Sequence, residues 1–298
     1  MNDVTVSVIV PVRAPAPYLA RCLKALREQS YDSGKVEVLV VDNSPAPGGI
    51  EVPEGDNVRL LWEPAGGSYA ARNLGIANAV GTVVAFTDAD CSPSSSWLGH
   101  GVRCLRSGSP QTLVAGGVVS YLEHADRPSP VELHDLLFAF RQETYVREFG
   151  FGVTANLFAP RRAFSEVGPF NDRLQSSGDL EWCGRALARG FRIVYEPRAE
   201  VWHPVRRNWR ELAQKLRRVS EGMVTLEHIV ARDRNRAGHW QRSAQVRLVE
   251  AWSDLHKISR SEQLSGLQER AAVCFVWAAS KAYRAWCRLR ARLASAPG

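Results

Sequence analysis

The feature that most constrains the fold is an alternation of short β-branched runs with segments of helical periodicity. The first two of these runs, 4–12 and 36–41, are typical of strands that are buried on both faces. Four such runs occupy residues 4–12, 36–41, 58–62 and 82–87. Between them, apolar residues recur at helical spacing over 19–26, and an alanine-rich helix is expected over 68–80. This order predicts an α/β fold with a mainly parallel, Rossmann-like sheet covered by helices on both faces.

The alternation continues through the second part of the chain. Residues 116–121 and 156–158 are β-rich, and a mixed helical region lies between them at 131–149. A further helix is expected to begin near Asp179, to end at Gly190, and to bury one face formed by Leu180, Cys183, Ala186 and Leu187. A strand is expected at 191–195, and His203-Pro204 closes the compact part.

Length and composition exclude several classes of protein. With 298 residues, of which 45% are hydrophobic and 23% charged, the chain can form a sizeable core and is neither disordered nor collagen-like. The longest nearly apolar stretch, 271–279, is about half as long as a membrane span, and we expect no signal peptide. The six cysteines lie scattered without a CxxC pair. A reducing, cytoplasmic environment is therefore expected.

The charge is distributed unevenly. Residues 1–205 contain 19 Lys or Arg against 23 Asp or Glu, whereas residues 206–298 contain 19 against 8. A net charge of −4 is therefore followed by one of +11. We expect a domain at 1–205 and a basic helical extension at 206–298, with a polar joint at 233–238. Charge alone leaves nucleic acid and an anionic membrane surface open as partners.

Two carboxylates, Asp88 and Asp90, follow the fourth predicted strand on a tight turn. The carboxyl ends of parallel strands form the binding crevice of such a sheet, and Asp42 follows the second strand in the same way. A pair of carboxylates there can hold a hard divalent cation whose shell is completed by phosphate oxygens. The alternative is structural: Asp88 ends the strand, and Asp90 caps a helix that begins near Pro93.

Several separated motifs together resemble glycosyltransferase family 2. The first group reads VSVIVPV at 6–12, VVDNS at 40–44, ARNLGI at 71–76 and FTDAD at 86–90. The second group reads NLF at 156–158, VGPF at 167–170, DLEWC at 179–183, RIVY at 192–195 and VWH at 201–203. The resemblance covers roughly residues 4–205. It implies a GT-A fold with a donor half at about 1–120 and an acceptor half at about 121–205.

The resemblance also implies a reaction and the residues that perform it. A sugar would pass from a nucleotide-diphosphate donor to an acceptor hydroxyl with inversion, assisted by Mn or Mg. The backbone at Pro11 and Val12, with Asp42, would line the nucleobase pocket, and Arg72 would support the base or the diphosphate. Asp88 would contact ribose or sugar hydroxyls.

The resemblance further implies that Asp90 is a metal ligand, that His203 is a second ligand, and that Asp179 is the base that deprotonates the acceptor. Three structural alternatives stay open: Asp42 as a strand-end turn residue, Arg72 as a surface charge and His203 as a packed residue.

One position departs from the family pattern. Members often carry an acidic residue directly before the catalytic Asp, where this chain has Gly178. Glu181 is a substitute base two residues further on, although a helix would point it away from Asp179. A non-catalytic or donor-hydrolysing relic that binds nucleotide sugars is therefore the alternative function. A nucleotidyltransferase or a dinucleotide oxidoreductase would need a glycine-rich loop after the first strand, and residues 12–17 lack it.

The last predicted helix suggests a membrane surface. Its apolar residues step by three and four, and its basic residues fall on the opposite arc, with Arg290 the exception. The apolar set is Phe275, Ala279, Ala282, Trp286, Leu289 and Leu293. Either this helix packs on the catalytic domain, or residues 264–294 bind anionic lipid at the inner face of the plasma membrane. The second option would match a glycan or lipid-linked acceptor of the cell envelope. No nucleic-acid partner is expected.

Overall fold

The structure, a computed structural model, describes residues 5–53, 57–124, 126–232 and 247–294. Two compact units divide the chain. The first combines Met1–Val119 with Arg141–His203, and the second combines Ser120–Phe140 with Pro204–Gly298. The second unit therefore includes residues 120–140, which the sequence analysis assigned to the acceptor half, because this segment packs on the C-terminal helices. The functional division at 205 stays a prediction.

Eight strands form one sheet in the order β3-β2-β1-β4-β7-β6-β8-β5. The strands β1 to β4 are mutually parallel where they pair, and β7 runs antiparallel to both β4 and β6. Their bounds are β1 Val6–Val12, β2 Val36–Asp42, β3 Val58–Trp62, β4 Val83–Thr87, β5 Ser92–Pro93, β6 Thr112–Tyr121, β7 Asn156–Pro160 and β8 Arg192–Pro204. Every residue of β1, β2 and β4 is buried, as the apolar runs of β1 and β2 predict.

Three helices of the first unit, at 19–27, 68–78 and 178–188, lie where the sequence predicts them, and the one at 142–149 falls in the predicted mixed helical region. The helix at 162–167 was not predicted, and the one at 97–107 appeared only in the structural alternative for Asp90. The bounds of these helices are α1 Leu19–Arg27, α2 Ser68–Asn78, α3 Trp97–Ser107, α5 Gln142–Phe149, α6 Arg162–Val167 and α7 Gly178–Ala188. The four apolar residues of α1 are buried as expected. In α7 the prediction is partly wrong: Cys183 and Ala186 are buried, but Glu181 and Trp182 take the inward positions expected for Leu180 and Leu187. The indole of Trp182 fills the core and donates to the carbonyl of Gly168 at 2.9 Å.

Buried Asn156, at the start of β7, ties the middle of the sheet together. Its amide nitrogen donates to the carbonyls of Gly117 and Ala199, each at 2.7 Å, and its oxygen accepts from the Trp97 indole at 2.8 Å. These bonds join β6, β7, β8 and α3. A buried amide is stable there because its hydrogen-bonding groups are satisfied.

The second unit contains α4 Pro130–Phe138, α8 Trp209–Arg232, α9 Arg247–Arg260 and α10 Leu267–Ala294. A capping box at Ser129 and Glu132 begins α4. One apolar cluster joins α4 to α9 and α10 through Leu133, Leu137, Ile258, Leu264 and Val273. A second joins α8 to α10 through Leu212, Leu216 and Val276. The predicted joint at 233–238 lies outside the described residues.

The structure shows which face of the last helix is buried. The buried residues of α10 are Val273, Val276, Ser280 and Cys287. The predicted apolar stripe faces outward, with exposed fractions of 75% for Phe275, 48% for Trp286, 58% for Leu289 and 68% for Leu293. Since successive helical residues are about 100° apart, a helix that buries Val276 turns Phe275 away. None of the described helices is both long and apolar enough to cross a bilayer.

Candidate functional site

The candidate site is built at the carboxyl ends of β1, β2 and β4, where the polar residues of the motifs lie. Val12 pairs with Asp42 across β1 and β2, and β1 also pairs with β4, which leads into Asp88. Three neighbouring strands therefore deliver their loops to one edge of the sheet.

Asp42 ends β2 and is buried within its own turn. Its Oδ1 accepts the Ser44 N–H at 2.8 Å, so the strand-end role considered for this residue is present in the structure. The Asn43 N–H donates to the Val12 carbonyl at 2.8 Å, which holds the Pro11-Val12 backbone beside the turn. The side-chain oxygen of Asn43 is buried and accepts no hydrogen bond among the described residues. An acceptor in this state is suited to a donor group on a ligand.

Arg72 and Asp88 form a short ion pair. Arg72 is only 4% exposed, so it is not a surface charge on α2. Its Nη2 donates to Asp88 Oδ1 at 2.5 Å, and its Nη1 donates to the Ser68 carbonyl at 3.2 Å. The Nε–H is buried without an acceptor among the described residues. A guanidinium held with one free donor edge can receive an oxygen of an anionic ligand.

Asp90 and His203 meet through strand register. The short strand β5 pairs antiparallel with β8, with Ser92 opposite Trp202, and this brings the end of β8 beside the turn that carries Asp90. His203 Nε2 lies 3.3 Å from Asp90 Oδ2, and the imidazole is buried while the carboxylate is partly exposed. Asp90 does not cap a helix: the next helix, α3, begins at Trp97 after an N-cap at Ser96. Among the described residues, no cluster of three or more His, Cys, Asp or Glu could hold a metal ion.

Asp179 lies in the first turn of α7 and contacts a tyrosine from α2. Its Oδ1 accepts the Leu180 N–H at 2.9 Å and the Tyr69 hydroxyl at 3.3 Å. The Tyr69 hydroxyl in turn accepts the Asp179 N–H at 3.2 Å. The N-cap of α7 is Ser177, so Asp179 contacts a first-turn N–H without being the cap residue.

Burial is the main influence on this carboxyl and raises the pKa of Asp179 above its usual value. The Leu180 N–H, the charge of Arg72 and the Tyr69 hydroxyl favour the charged form and offset part of the increase. A carboxylate with a raised pKa accepts a proton more readily than one in water, which suits a general base.

Glu181, the substitute base, is committed elsewhere. It is buried, and its two oxygens accept from Arg185 Nε at 2.8 Å and Nη2 at 3.0 Å. Arg185 also donates to the carbonyls of Val167 and Pro169, which brace the loop before α7. A bidentate, buried ion pair of this kind fixes the position of the carboxylate and turns it toward Arg185.

Most of these side chains are connected by a continuous series of contacts. Asp179 contacts Tyr69, the Arg72 guanidinium lies 5.5 Å from the Tyr69 ring centroid, and Arg72 pairs with Asp88. The same turn carries Asp90, which contacts His203. Sequence reasoning missed Tyr69, which lies two residues before the ARNLGI motif, and it gave no role to Asn43 within the VVDNS motif.

The sheet order and this cluster at its edge define a GT-A type glycosyltransferase, and comparison with known proteins agrees. The family profile "Glycosyl transferase family 2" matches residues 7–168. Glycosyltransferase AglE of Haloferax volcanii is 36% identical over 225 residues, which cover 74% of this chain and 73% of AglE. This chain therefore belongs to glycosyltransferase family 2 and is a transferase enzyme.

More distant proteins share the same architecture. The pre-mycofactocin glycosyltransferase of Mycobacterium tuberculosis is 31% identical over 218 residues, covering 69% of this chain but 44% of that longer protein. Mannosyltransferase PcManGT from Pyrobaculum calidifontis, solved in complex with GDP-Man and Mn2+, superposes with a TM-score of 0.62 at 20% identity. That superposition covers 97% of this chain and 86% of PcManGT. The likeness is one of fold.

Proposed function

We propose that this enzyme is an inverting glycosyltransferase that moves a sugar from a nucleotide-diphosphate donor to a hydroxyl of a glycan or lipid-linked acceptor. The observation that carries the proposal is the series of contacts from Asp179 through Tyr69, Arg72 and Asp88 to the turn with Asp90. These contacts hold together the side chains that would serve as base, as cationic diphosphate contact and as metal-binding carboxylate. The relatives' shared activity and the GDP-Man in PcManGT support this choice of donor.

The donor would lie across the ends of β1 and β2. The backbone at Pro11 and Val12 would flank the nucleobase, with Asp42 and the buried Asn43 oxygen as acceptors for its N–H groups. Arg72 would use its open Nε–H edge toward a diphosphate oxygen while Asp88 fixes its orientation and turns toward ribose or sugar hydroxyls. With these contacts the protein would bind a nucleotide although it has no glycine-rich loop after β1.

Asp90 and His203 could bind a divalent cation whose coordination shell is completed by the phosphate oxygens of the donor. A carboxylate and an imidazole provide two ligands, and cations such as Mg²⁺ are commonly held by one or two carboxylates with phosphate oxygens completing the shell. Mn²⁺ accepts the same set together with an imidazole. The cation, when bound, would stabilise the negative charge that develops on the departing diphosphate. The Mn2+ in the PcManGT complex supports this assignment.

Asp179 would take the proton from the acceptor hydroxyl as that oxygen attacks the anomeric carbon. The raised pKa of its carboxyl supports this role, and the contacts from Leu180 and Tyr69 hold its Oδ1 in place. The oxygen–carbon bond forms on one face of the sugar while the carbon–diphosphate bond breaks on the other. A single displacement inverts the centre, and no covalent intermediate on the protein is needed.

Donor turnover tests the proposal directly. Thermal-shift measurements with a panel of nucleotide sugars, each with Mn²⁺, Mg²⁺ or EDTA, should identify a donor that raises the melting temperature mainly when metal is present. Release of nucleotide should then accelerate when a hydroxylated acceptor is added. A relic would bind donor, or hydrolyse it, at a rate that no acceptor changes, and that result would replace the transferase by the alternative.

We also propose that α10 binds an anionic membrane surface, which would bring the enzyme to a lipid-linked acceptor. On a projection of about 100° per residue, the exposed residues Phe275, Trp286, Leu289 and Leu293 fall within about 60° of arc. Arg290 and Arg292 lie on opposite sides of this arc, and the Arg290 guanidinium is 4.9 Å from the Trp286 ring centroid. An apolar strip between cations fits the boundary between headgroups and acyl chains.

A further inference from the structure

The space beside Gly178 is filled by the ring of Tyr69. A Cβ added at Gly178 would lie 2.7 to 2.9 Å from three carbon atoms of that ring, closer than real Cβ atoms approach. The side chain that many relatives carry before the catalytic Asp has no room here. Glycine at 178 is thus a consequence of where Tyr69 lies, and the departure from the family pattern has a structural counterpart on α2.

The Tyr69 hydroxyl holds Asp179 at two points. It accepts the main-chain N–H at 3.2 Å and donates to the carboxylate oxygen Oδ1 at 3.3 Å. One hydroxyl therefore constrains both the start of α7 and the side-chain torsion of the base. The Leu180 N–H, 2.9 Å from the same oxygen, completes the restraint. Both contacts fall on Oδ1, so they restrain the orientation of the whole carboxylate.

The ring itself is held in place. Tyr69 is buried, and its ring centroid lies 5.7 Å from that of Phe170. Asn73, one turn further along α2, donates to the Phe170 carbonyl and accepts its N–H, each at 2.9 Å. The helix and the loop before α7 are thereby fastened together, so the tyrosine has little freedom to leave Asp179.

We propose that Tyr69 is a positioning residue for Asp179 and that Gly178 is required to admit it. The inference rests on the proposed role of Asp179 as base. Tyr69 acts through Asp179 and makes no contact with the reacting atoms.

The decisive variant is Tyr69→Phe, which keeps the ring over Gly178 and removes only the hydroxyl. Loss of a hydrogen bond to a charged group should lower kcat by about 10- to 100-fold with the donor KM close to wild type, and the melting temperature should fall modestly because the Asp179 N–H loses its acceptor. Tyr31 is a partly buried tyrosine of the same unit that lies outside the site. Tyr31→Phe is therefore the matched control, and it should leave kcat and the donor KM unchanged.

The pH profile supplies a readout that a loss of packing would not move. The Tyr69 hydroxyl stabilises the ionised form of Asp179, so its removal should raise the pKa of that carboxyl further. The acid limb of kcat/KM should therefore shift to higher pH in Tyr69→Phe. The other groups that act on Asp179 are Arg72 on α2 and the Leu180 and Thr154 N–H groups, and all of them remain in the variant. Wild-type kcat and an unmoved acid limb would overturn the proposal.

A double-mutant cycle tests the requirement for glycine. Alanine is the better helix former, so Gly178→Ala should be tolerated unless the ring obstructs it. We expect Gly178→Ala to lower kcat at least about tenfold in the wild type and to have little further effect in Tyr69→Ala, where the space is open. Equal effects of Gly178→Ala in both backgrounds would overturn the link between the two residues.

The variant Asp179→Asn distinguishes failure of the positioning role of Tyr69 from failure of the proposed role of Asp179 as base. If Asp179→Asn is inactive while Tyr69→Phe is normal, Asp179 stays the base and only the role of Tyr69 falls. If Asp179→Asn transfers sugar at the wild-type rate, the base assignment and the positioning role fall together.

Discussion

The carboxyl edge of the sheet and the outer face of α10 both break the usual rule that charged side chains are exposed and apolar ones buried, each in the opposite way. At the sheet edge, charged side chains such as Arg72 and Asp88 are drawn inward and paired. On α10, large apolar side chains such as Phe275 and Leu293 are left in contact with solvent. Burying charge costs solvation free energy, and exposing apolar surface costs hydrophobic free energy. Both regions therefore carry a cost that a bound ligand or surface would offset.

The sharpest test of the sheet edge is Asp90→Ala. If Asp90 holds the cation as proposed, its loss should reduce transfer by about 1000-fold or more and abolish stimulation by Mn²⁺ or Mg²⁺ in a nucleotide-release assay. Asp126→Ala, which alters an exposed acid, is the control. Full wild-type activity in excess EDTA would contradict the metal proposal.

Asp179→Asn should have the next largest effect. The change keeps the side-chain volume but removes the base, so transfer should fall by at least about 100-fold while melting temperature and donor affinity stay near wild type. Glu181→Gln is the contrasting variant. It breaks the pair with Arg185 and should lower the melting temperature more than it lowers transfer per folded molecule. The reverse pattern would make Glu181 the base.

On the other side of the comparison, Trp286→Glu should weaken binding to anionic vesicles by about tenfold or more, since a buried aromatic side chain contributes roughly 1.5–3 kcal/mol. Wild-type binding should also fall as salt is added. Leu255→Glu, an exposed apolar residue of α9 outside the strip, is the control. Point variants are preferable to removing α10, because Val273 and Val276 belong to the core of the unit. Equal partition of all three proteins would contradict the membrane proposal.

The smallest expected effect comes from a buried charge of the second unit. Lys215 donates to the Ala139 carbonyl at 3.1 Å and lies 3.7 Å from Asp135. Burial and the charge of Arg206 lower the pKa of Lys215 to about 7, despite the attraction of Asp135. Above that pH an unfolded Lys215 binds more protons than the folded one, so the contribution of Lys215 to the free energy of unfolding should rise with pH up to about 10. Burial raises the pKa of several cysteine thiols, Cys22 and Cys183 among them, which contributes with the opposite sign near the upper end of this range.

The contribution of Lys215 to the slope of the unfolding free energy against pH should reach at most about 1.4 kcal/mol per pH unit. Urea unfolding between pH 7 and 9.5 measures it, and Lys215→Met should flatten the dependence. Burial lowers the pKa of His134 in the same unit to about 4, so that group titrates below this window. An unchanged slope in Lys215→Met would assign the pH dependence to other groups.

Much of the first unit was predictable because its signals are local. Apolar β-branched runs and helical spacing determined β1, α1, β2, β3, α2 and β4 to within a few residues, and the polar strand ends indicated which edge carries the site. The motif residues Arg72, Asp88 and Asp179 could be named in advance for the same reason. Their catalytic and binding roles stay predictions.

Contacts between residues far apart in sequence decided the rest. Tyr69 contacts Asp179 across 110 residues, and His203 reaches Asp90 only because β5 pairs with β8 in one register. The periodicity of α10 identified an apolar stripe, but Val273 and Val276 found complementary surfaces on α4 and α8, which turned that stripe outward. Local propensity specifies which segments form helices and strands. Which face is buried, and which side chains meet, depends on the shape of the surfaces that pack together, and these exist only in the tertiary structure.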